Sequence, residues 1–198
     1  MLRISGMTLL LGAPWIIRYI SCMRETSDER LMQRYARGDA GAFEELYRRH
    51  RGPLYRYFLR QVTEPATAND LYQGAWEKII KARKRYRPSA PFTTWMYRIA
   101  HNHLVDHYRR LRPADSLEEN LLEGADAGPV QRAIGNEDSE RLRSAVLALP
   151  PEQRDTLLLK LETGLKMEDI ARVTGVNRET VKSRLRYAVG KLKQVMHE

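Results

Sequence analysis

Residues 149–194 read LPPEQRDTLLLKLETGLKMEDIARVTGVNRETVKSRLRYAVGKLKQ, and their spacing decides the fold of this half of the chain. Leu157, Leu158, Leu161 and Leu165 recur at helical intervals, and Gly164 breaks the stripe. A short helix is expected over 167–174, with Ile170, Ala171 and Val173 available for packing. Gly175 stands where a tight turn needs a positive φ, and Asn177 is a good N-cap for the next helix. There Val181, Leu185, Ala188, Val189 and Leu192 return at three and four, predicting one buried face. Helix, glycine turn and longer helix make the helix-turn-helix pattern. Ala171 is small enough for a close crossing, and Val181 pins the second helix.

Away from that stripe lie Arg178, Glu179, Thr180, Lys182, Ser183, Arg184, Arg186 and Tyr187. These residue types reach phosphates and base edges in a major groove; a merely solvated basic face is the alternative. The whole chain of 198 residues carries a formal charge of +9. That favours a polyanionic partner, nucleic acid first and a membrane surface second. Cys22 is the single cysteine, so neither a disulfide framework nor a Cys-based zinc site can be built, which fits a reducing, intracellular setting.

Strand signals are nearly absent and helical spacing recurs, which predicts an all-α chain. The candidate helices run near 28–37, 40–62, 67–84, 92–111, 139–148, 152–163, 167–174 and 178–196, with Ser27 or Asp28 capping the first. Pro53 is expected to kink or split the second. Between 113 and 138, Asp115, Glu118, Glu119, Glu123, Asp126, Glu137 and Asp138 face a single Arg132. This is the composition of a flexible acidic linker, or of a strand imitating nucleic acid in a partner's basic channel. Two small helical domains, 25–112 and 140–198, are therefore expected on one tether over 113–139. Residues 1–24 form an N-terminal extension expected to be dispensable, with Met1 or Met23 as the start. Its apolar run of roughly 11 residues is about half a bilayer span and lacks a convincing cleavage site, so no membrane insertion is expected.

Residues 91–110, PFTTWMYRIAHNHLVDHYRR, crowd His101, His103, Asp106 and His107 together. His103 and His107 have chelating i, i+4 spacing. Apolar neighbours, a divergent His101 and the absence of flanking strands argue for packed histidines over a nuclease metal, so neither metal nor cofactor is expected. The opposite stripe is more informative. Trp95, Arg98, Asn102 and Arg109 alternate flat, cationic and amide groups after KARKRYRPSAPF, where Arg83, Lys84, Arg85 and Arg87 could meet phosphates. Tyr86, Phe92 and Trp95 are candidate stacking platforms for single-stranded DNA, at about 1–3 kcal/mol per stacked base. Packing of Trp95 or Phe92 into a core is the competing use.

The segment LPPEQRDTLLLKLETGLKMEDIARVTGVNRETVKSRLRYAVGKLK resembles the fourth domain of a bacterial sigma factor, and TVKSRLRYA resembles its recognition helix. The resemblance implies minus-thirty-five promoter reading by Arg178, Thr180, Lys182, Ser183, Arg184 and Arg186. The sequence departs at Asn177 and Glu179, where relatives often carry Pro and Gly; Glu179 could read a cytosine amino group or complement the helix dipole. FEELYRRH (43–50), NDLYQGAWEKI (69–79) and FTTWMYRIAHNHLVDHYRR (92–110) resemble the second sigma domain of the extracytoplasmic-function (ECF) group.

That second resemblance implies minus-ten recognition and melting by Arg85, Tyr86, Arg87, Phe92, Trp95, Arg98, Asn102, Arg109 and Arg110. It implies contact with core RNA polymerase through Asp70, Gln73 and Trp76. Gly74 stands where relatives usually carry Glu, and a mid-helix glycine costs about 1 kcal/mol. The family's partners would be the clamp of the largest polymerase subunit, the flap of the second-largest, promoter DNA and an anti-sigma factor, in the cytoplasm and without enzymatic activity. The rivals are a stand-alone helix-turn-helix regulator and a metal nuclease.

Overall fold

The computed structural model describes residues 26–111 and 137–197. Among them are eight α-helices and one 3-10 turn, and no strand. The expected leader over 1–24 and most of the acidic linker fall outside the described residues.

Local chemistry sets the helix boundaries. Helix α1 (Asp28–Ala36) begins where Ser27 Oγ accepts from the backbone N–H of Arg30. Gly38, at φ 103°, reverses the chain. Helix α2 (Ala40–Leu59) is then capped by Asp39, whose carboxylate accepts from Ala42 N at 3.1 Å. Of the expected kink or split at Pro53, the split does not occur: α2 runs on through the proline. It removes one backbone bond, but Leu46 before it and Leu54, Tyr57 and Phe58 after it are all buried in the same core. Helix α3 (Pro65–Ala82) starts on a proline, leads into the 3-10 turn Arg83–Arg85, and is followed by α4 (Phe92–Leu111). These four helices form the first module, around Tyr57, Phe58, Phe92, Met96 and Tyr97.

The second module comprises α5 (Glu137–Leu147), α6 (Pro151–Thr163), α7 (Met167–Thr174) and α8 (Arg178–His197). Both predicted glycine stops hold: Gly164 and Gly175 take φ 66° and 72°, as left-handed C-caps. The leucine stripe is shifted from its predicted face. Leu161 is 61% exposed, while Leu157, Leu158 and Leu159 are buried, because α6 is covered from two sides.

The second cover is the first module itself. Helix α7 packs on α4 and α6 on α2, and one continuous core joins Tyr57 and Tyr97 to Leu158, Leu159, Ile170 and Val173. At its centre Asp155, buried on α6, accepts from Tyr57 Oη at 2.6 Å and Gln61 Nε2 at 2.9 Å, and lies 2.9 Å from His101 Nδ1. Burial, reinforced by Asp155, pushes the Tyr57 hydroxyl well above its ordinary value. Arg154 donates to Leu147 O and to Tyr108 Oη, and Tyr108 in turn donates to Gln61 O at 2.7 Å. At the rim Glu162 pairs with Arg56 and Arg60. Two modules on one chain were expected; their direct docking was not.

Candidate nucleic-acid interface

Three surfaces carry the residues singled out by the sequence. The first is the turn from α7 into α8. Asn177 Oδ1 accepts from Thr180 N at 2.8 Å and from Thr180 Oγ1 at 2.9 Å, so the cap predicted for α8 is present. Val181 and Ala188 are fully buried and anchor the helix, whereas Val189 of the predicted buried face is exposed. Arg178, Lys182 and Arg186 are exposed; Thr180, Ser183 and Arg184 are half-buried. Arg178 reaches across to Glu168 of α7 at 3.0 Å, and Arg186 covers the ring of Tyr187. Arg184 makes no ion pair among the described residues. The helix thus offers a row of cations and hydroxyls on a rigidly seated rod, the arrangement that groove reading requires.

The second surface lies around the RPSAP loop and α4. Arg85, Arg87, Arg98, Asn102, Arg109 and Arg110 are exposed. Arg109 also pairs with Asp106 at 3.3 Å, which tempers the charge there. The aromatic platforms need correcting. Tyr86 is 5% and Phe92 1% exposed, so neither ring can stack on a base without leaving the core. Trp95 alone is half-exposed, with its ring 5.1 Å from that of Tyr86 and 5.9 Å from that of Phe92.

Side chains the sequence reading missed hold this cluster. Glu29 of α1 accepts from Phe92 N at 2.8 Å, satisfying an orphan donor at the start of α4. Burial is the largest single influence and acts to raise the Glu29 carboxyl, but the hydrogen bonds from Phe92 N, its own backbone N–H and Ser27 together outweigh it and hold the group below its ordinary value. Burial, with Glu29 and Asp28 nearby, pushes the Tyr86 hydroxyl up to about 12.

The third surface is α3. Asp70 and Gln73 are exposed one turn apart. Trp76 is 5% exposed and packs against Phe43, Tyr47 and Tyr72. It therefore shapes the surface from beneath and is not itself presented. Gly74 has a local cause: a β-carbon there would collide with the His103 imidazole, which lies flush on the α3 backbone.

The histidines of α4 do not converge. His101 turns to Asp155 and His103 to Gly74. No cluster of three His, Cys, Asp or Glu that could hold a metal exists among the described residues, and no helix among them is long and apolar enough to cross a membrane.

Residues 46–113 match the sigma-70 region 2 family and residues 139–192 match sigma-70 region 4. The RNA polymerase sigma-H factor of Pseudomonas aeruginosa is 31% identical over 82% of this chain and 90% of its own length. This chain belongs to the sigma-70 family of RNA polymerase sigma factors. Its group is the ECF sigma factors: SigM of Mycobacterium tuberculosis, named as one, is 30% identical over 87% of this chain and 86% of its own. Among solved structures, CnrH in complex with the cytosolic domain of CnrY shares the fold, with TM-score 0.66 at 23% identity over 87% of this chain and 98% of that one. The sigma factor RpoE of Bartonella quintana, in complex with the anti-sigma factor NepR, gives TM-score 0.61 at 21% identity, over 78% and 96% of the two chains. The ECF factor described here directs RNA polymerase to promoters to initiate transcription.

Proposed function

We propose that the two modules divide promoter reading between them. Helix α8 enters the major groove of the minus-thirty-five element. Arg184 and Arg186 reach base edges or phosphates, and Arg178, Thr180, Lys182 and Ser183 fix the register. The loop 87–91 and the outer stripe of α4 hold the opened minus-ten strand. Trp95 is the one aromatic there with a free surface, and Arg98, Asn102, Arg109 and Arg110 follow the backbone with Arg85 and Arg87.

Asp70 and Gln73 form the exposed part of the surface that meets the polymerase clamp, and Trp76 is its buried support. Bond formation belongs to the polymerase. The protein acts in the cytoplasm, and an anti-sigma factor is its natural inhibitor, a reading supported by the complex in which the B. quintana relative was solved.

The observation that carries this reading is the pairing, in one chain, of a seated groove helix with a separate aromatic-and-cation stripe on α4. The test is run-off transcription with purified core polymerase on a promoter library, followed by permanganate footprinting. Two protected patches with reactive thymines only in the downstream one are expected. A single patch, or tight duplex binding unchanged by polymerase, would instead mark a stand-alone regulator.

A further inference from the structure

We infer that Glu29 of α1 is a positioning residue for strand capture: its carboxylate, acting through the Phe92 N–H, sets the start of α4, and with it the loop 87–91 and the ring of Trp95. This role rests on the proposed holding of the opened minus-ten strand and adds to it a residue that need not touch DNA.

The start of α4 has no cap of its own. Pro91 precedes it, and a proline side chain offers no acceptor to the orphan N–H groups of a first turn. Trp95 N reaches Pro91 O at 3.3 Å. Phe92 N reaches Glu29 Oε1 at 2.8 Å, 63 residues back in the sequence. Burial pulls the Glu29 carboxyl upward, but the hydrogen bonds it accepts hold it below its ordinary value. It is therefore ionised at neutral pH, the bond is charge-assisted, and the charge complements the positive end of the helix dipole. Glu29 does from another helix what a Ser or Asp at position 91 would do locally. The start of α4 is thus placed by α1.

Helix α1 is itself fixed at this end. Arg49 of α2 donates to Asp28 Oδ1 and to Thr26 O, both at 2.8 Å, and His50 Nε2 lies 2.6 Å from Asp28 Oδ2. The His50 ring packs 5.3 Å from that of Phe92. A continuous set of contacts therefore runs from α2 through the first turn of α1 to the Phe92 N–H.

Beyond it stands the loop. Its two feet are the buried Tyr86 and Phe92, whose rings lie 6.1 Å apart. Between them Pro88 and Pro91 restrict φ, while Arg87, Pro88, Ser89 and Pro91 are exposed. A short segment pinned at both ends is a stiff arch. Releasing the Phe92 foot loosens the arch and also Trp95, whose ring packs 5.9 Å from that of Phe92. A strand that meets a prepositioned platform loses less freedom on binding than one that must order the platform itself. Asp70 and Gln73 on α3, and the exposed row on α8, have no share in this bond.

The test reconstitutes holoenzyme with core polymerase and titrates it with a fluorescent single-stranded minus-ten oligonucleotide and, separately, with an upstream-element duplex. Core affinity is measured alongside, and amide exchange at Phe92 is followed by NMR on the free protein. The wild-type Phe92 amide should exchange slowly. Glu29→Ala should make it exchange fast and weaken single-strand capture several-fold, with core affinity and duplex binding unchanged. Glu29→Gln, which keeps an acceptor oxygen, should recover both protection and capture.

Fast exchange at Phe92 in the wild type, or full capture by Glu29→Ala, would overturn the inference. So would a Glu29→Ala protein that loses core affinity and duplex binding in step with capture, because the residue would then serve the fold as a whole. Equal loss of capture in Glu29→Gln and Glu29→Ala would also overturn it, by making the charge and not the bond to Phe92 the active feature. A wild-type holoenzyme that captures no single strand would overturn the strand-holding reading itself, a result distinct from every comparison among the Glu29 variants.

Discussion

The imidazole of His103 rests on the α-carbon of Gly74, with its Cε1 3.0 Å from where a β-carbon would stand and its Nε2 closer still. Two helices thereby approach where an ordinary residue would hold them apart. The ring is half-buried, with its Nδ1 enclosed, and it must shift to admit a methyl group. Gly74→Ala should therefore destabilise the protein despite the helix propensity of about 1 kcal/mol that alanine adds. Overpacking of about 1–3 kcal/mol outweighs that gain. Thermal melts of Gly74→Ala, His103→Ala and the double variant check it: the double should be more stable than the two single effects predict together. A Gly74→Ala protein that melts higher than wild type would show that the ring moves freely.

Acid should weaken the fold in two stages. Burial first, then Lys78 and Arg110, hold the His103 pKa below its ordinary 6.5, and burial with Arg110 does the same for His107. A histidine with a lowered folded pKa binds its proton more readily in the unfolded chain, so stability falls as pH drops through 6.5. A second loss follows below about pH 4.5. For Asp28 and Glu29, burial acts in the raising direction but is outweighed by Asp28's contacts with His50 and Arg49 and by Glu29's hydrogen bonds from Phe92 N, its own backbone N–H and Ser27 taken together. Hydrogen bonds from Arg48 and Arg49 lower Glu45 to about 2. Melting temperature against pH should show both steps, and His103→Gln with His107→Gln should flatten only the upper one. A wild-type profile flat from pH 7.5 to 5.5 would contradict the histidine assignment.

The cap on α8 links stability to promoter reading. Asn177→Ala removes the acceptor for two Thr180 donors and should cost about 1 kcal/mol, with upstream-element binding falling in parallel. Asn177→Asp should restore both. Arg184→Ala should leave the melt unchanged, weaken binding by about 1–3 kcal/mol and relax sequence preference if the side chain reads a base. A drop in salt dependence with preference unchanged would make it a phosphate contact.

The helices were legible because periodicity, caps and glycine stops agreed: Ser27, Asn177, Gly164 and Gly175 each do locally what their chemistry dictates. The exposed face of α8 was legible for the same reason. The joint was not. Arg154 and Asp155 look like ordinary solvated charges beside a leucine run. Only their register with buried Leu158 and Leu159, three and four residues on, hints that they face inward. Their partners come from the other module, which no local pattern can name. The aromatics of RYRPSAPFTTW posed a similar problem. A ring between cations suits stacking or core equally well, and Glu29 and His50, packed from α1 and α2, decide for the core at Phe92.

That division makes Trp95 and Phe92 separable by experiment. Phe92 is wholly enclosed, so Phe92→Ala should cost about 3–5 kcal/mol of stability and reduce every activity together. Trp95 is only partly buried, with its ring packed near those of Tyr86 and Phe92. Trp95→Phe preserves part of that packing but shrinks the exposed surface on which a base could rest. Its melt should stay close to wild type. With core polymerase, permanganate reactivity of the downstream thymines should fall several-fold while closed-complex formation, read by gel shift at low temperature, persists. Equal loss of recruitment and opening on a folded Trp95→Phe protein would assign Trp95 to the core along with Phe92. Capture of the opened strand would then rest on the Arg98, Asn102 and Arg109 stripe alone.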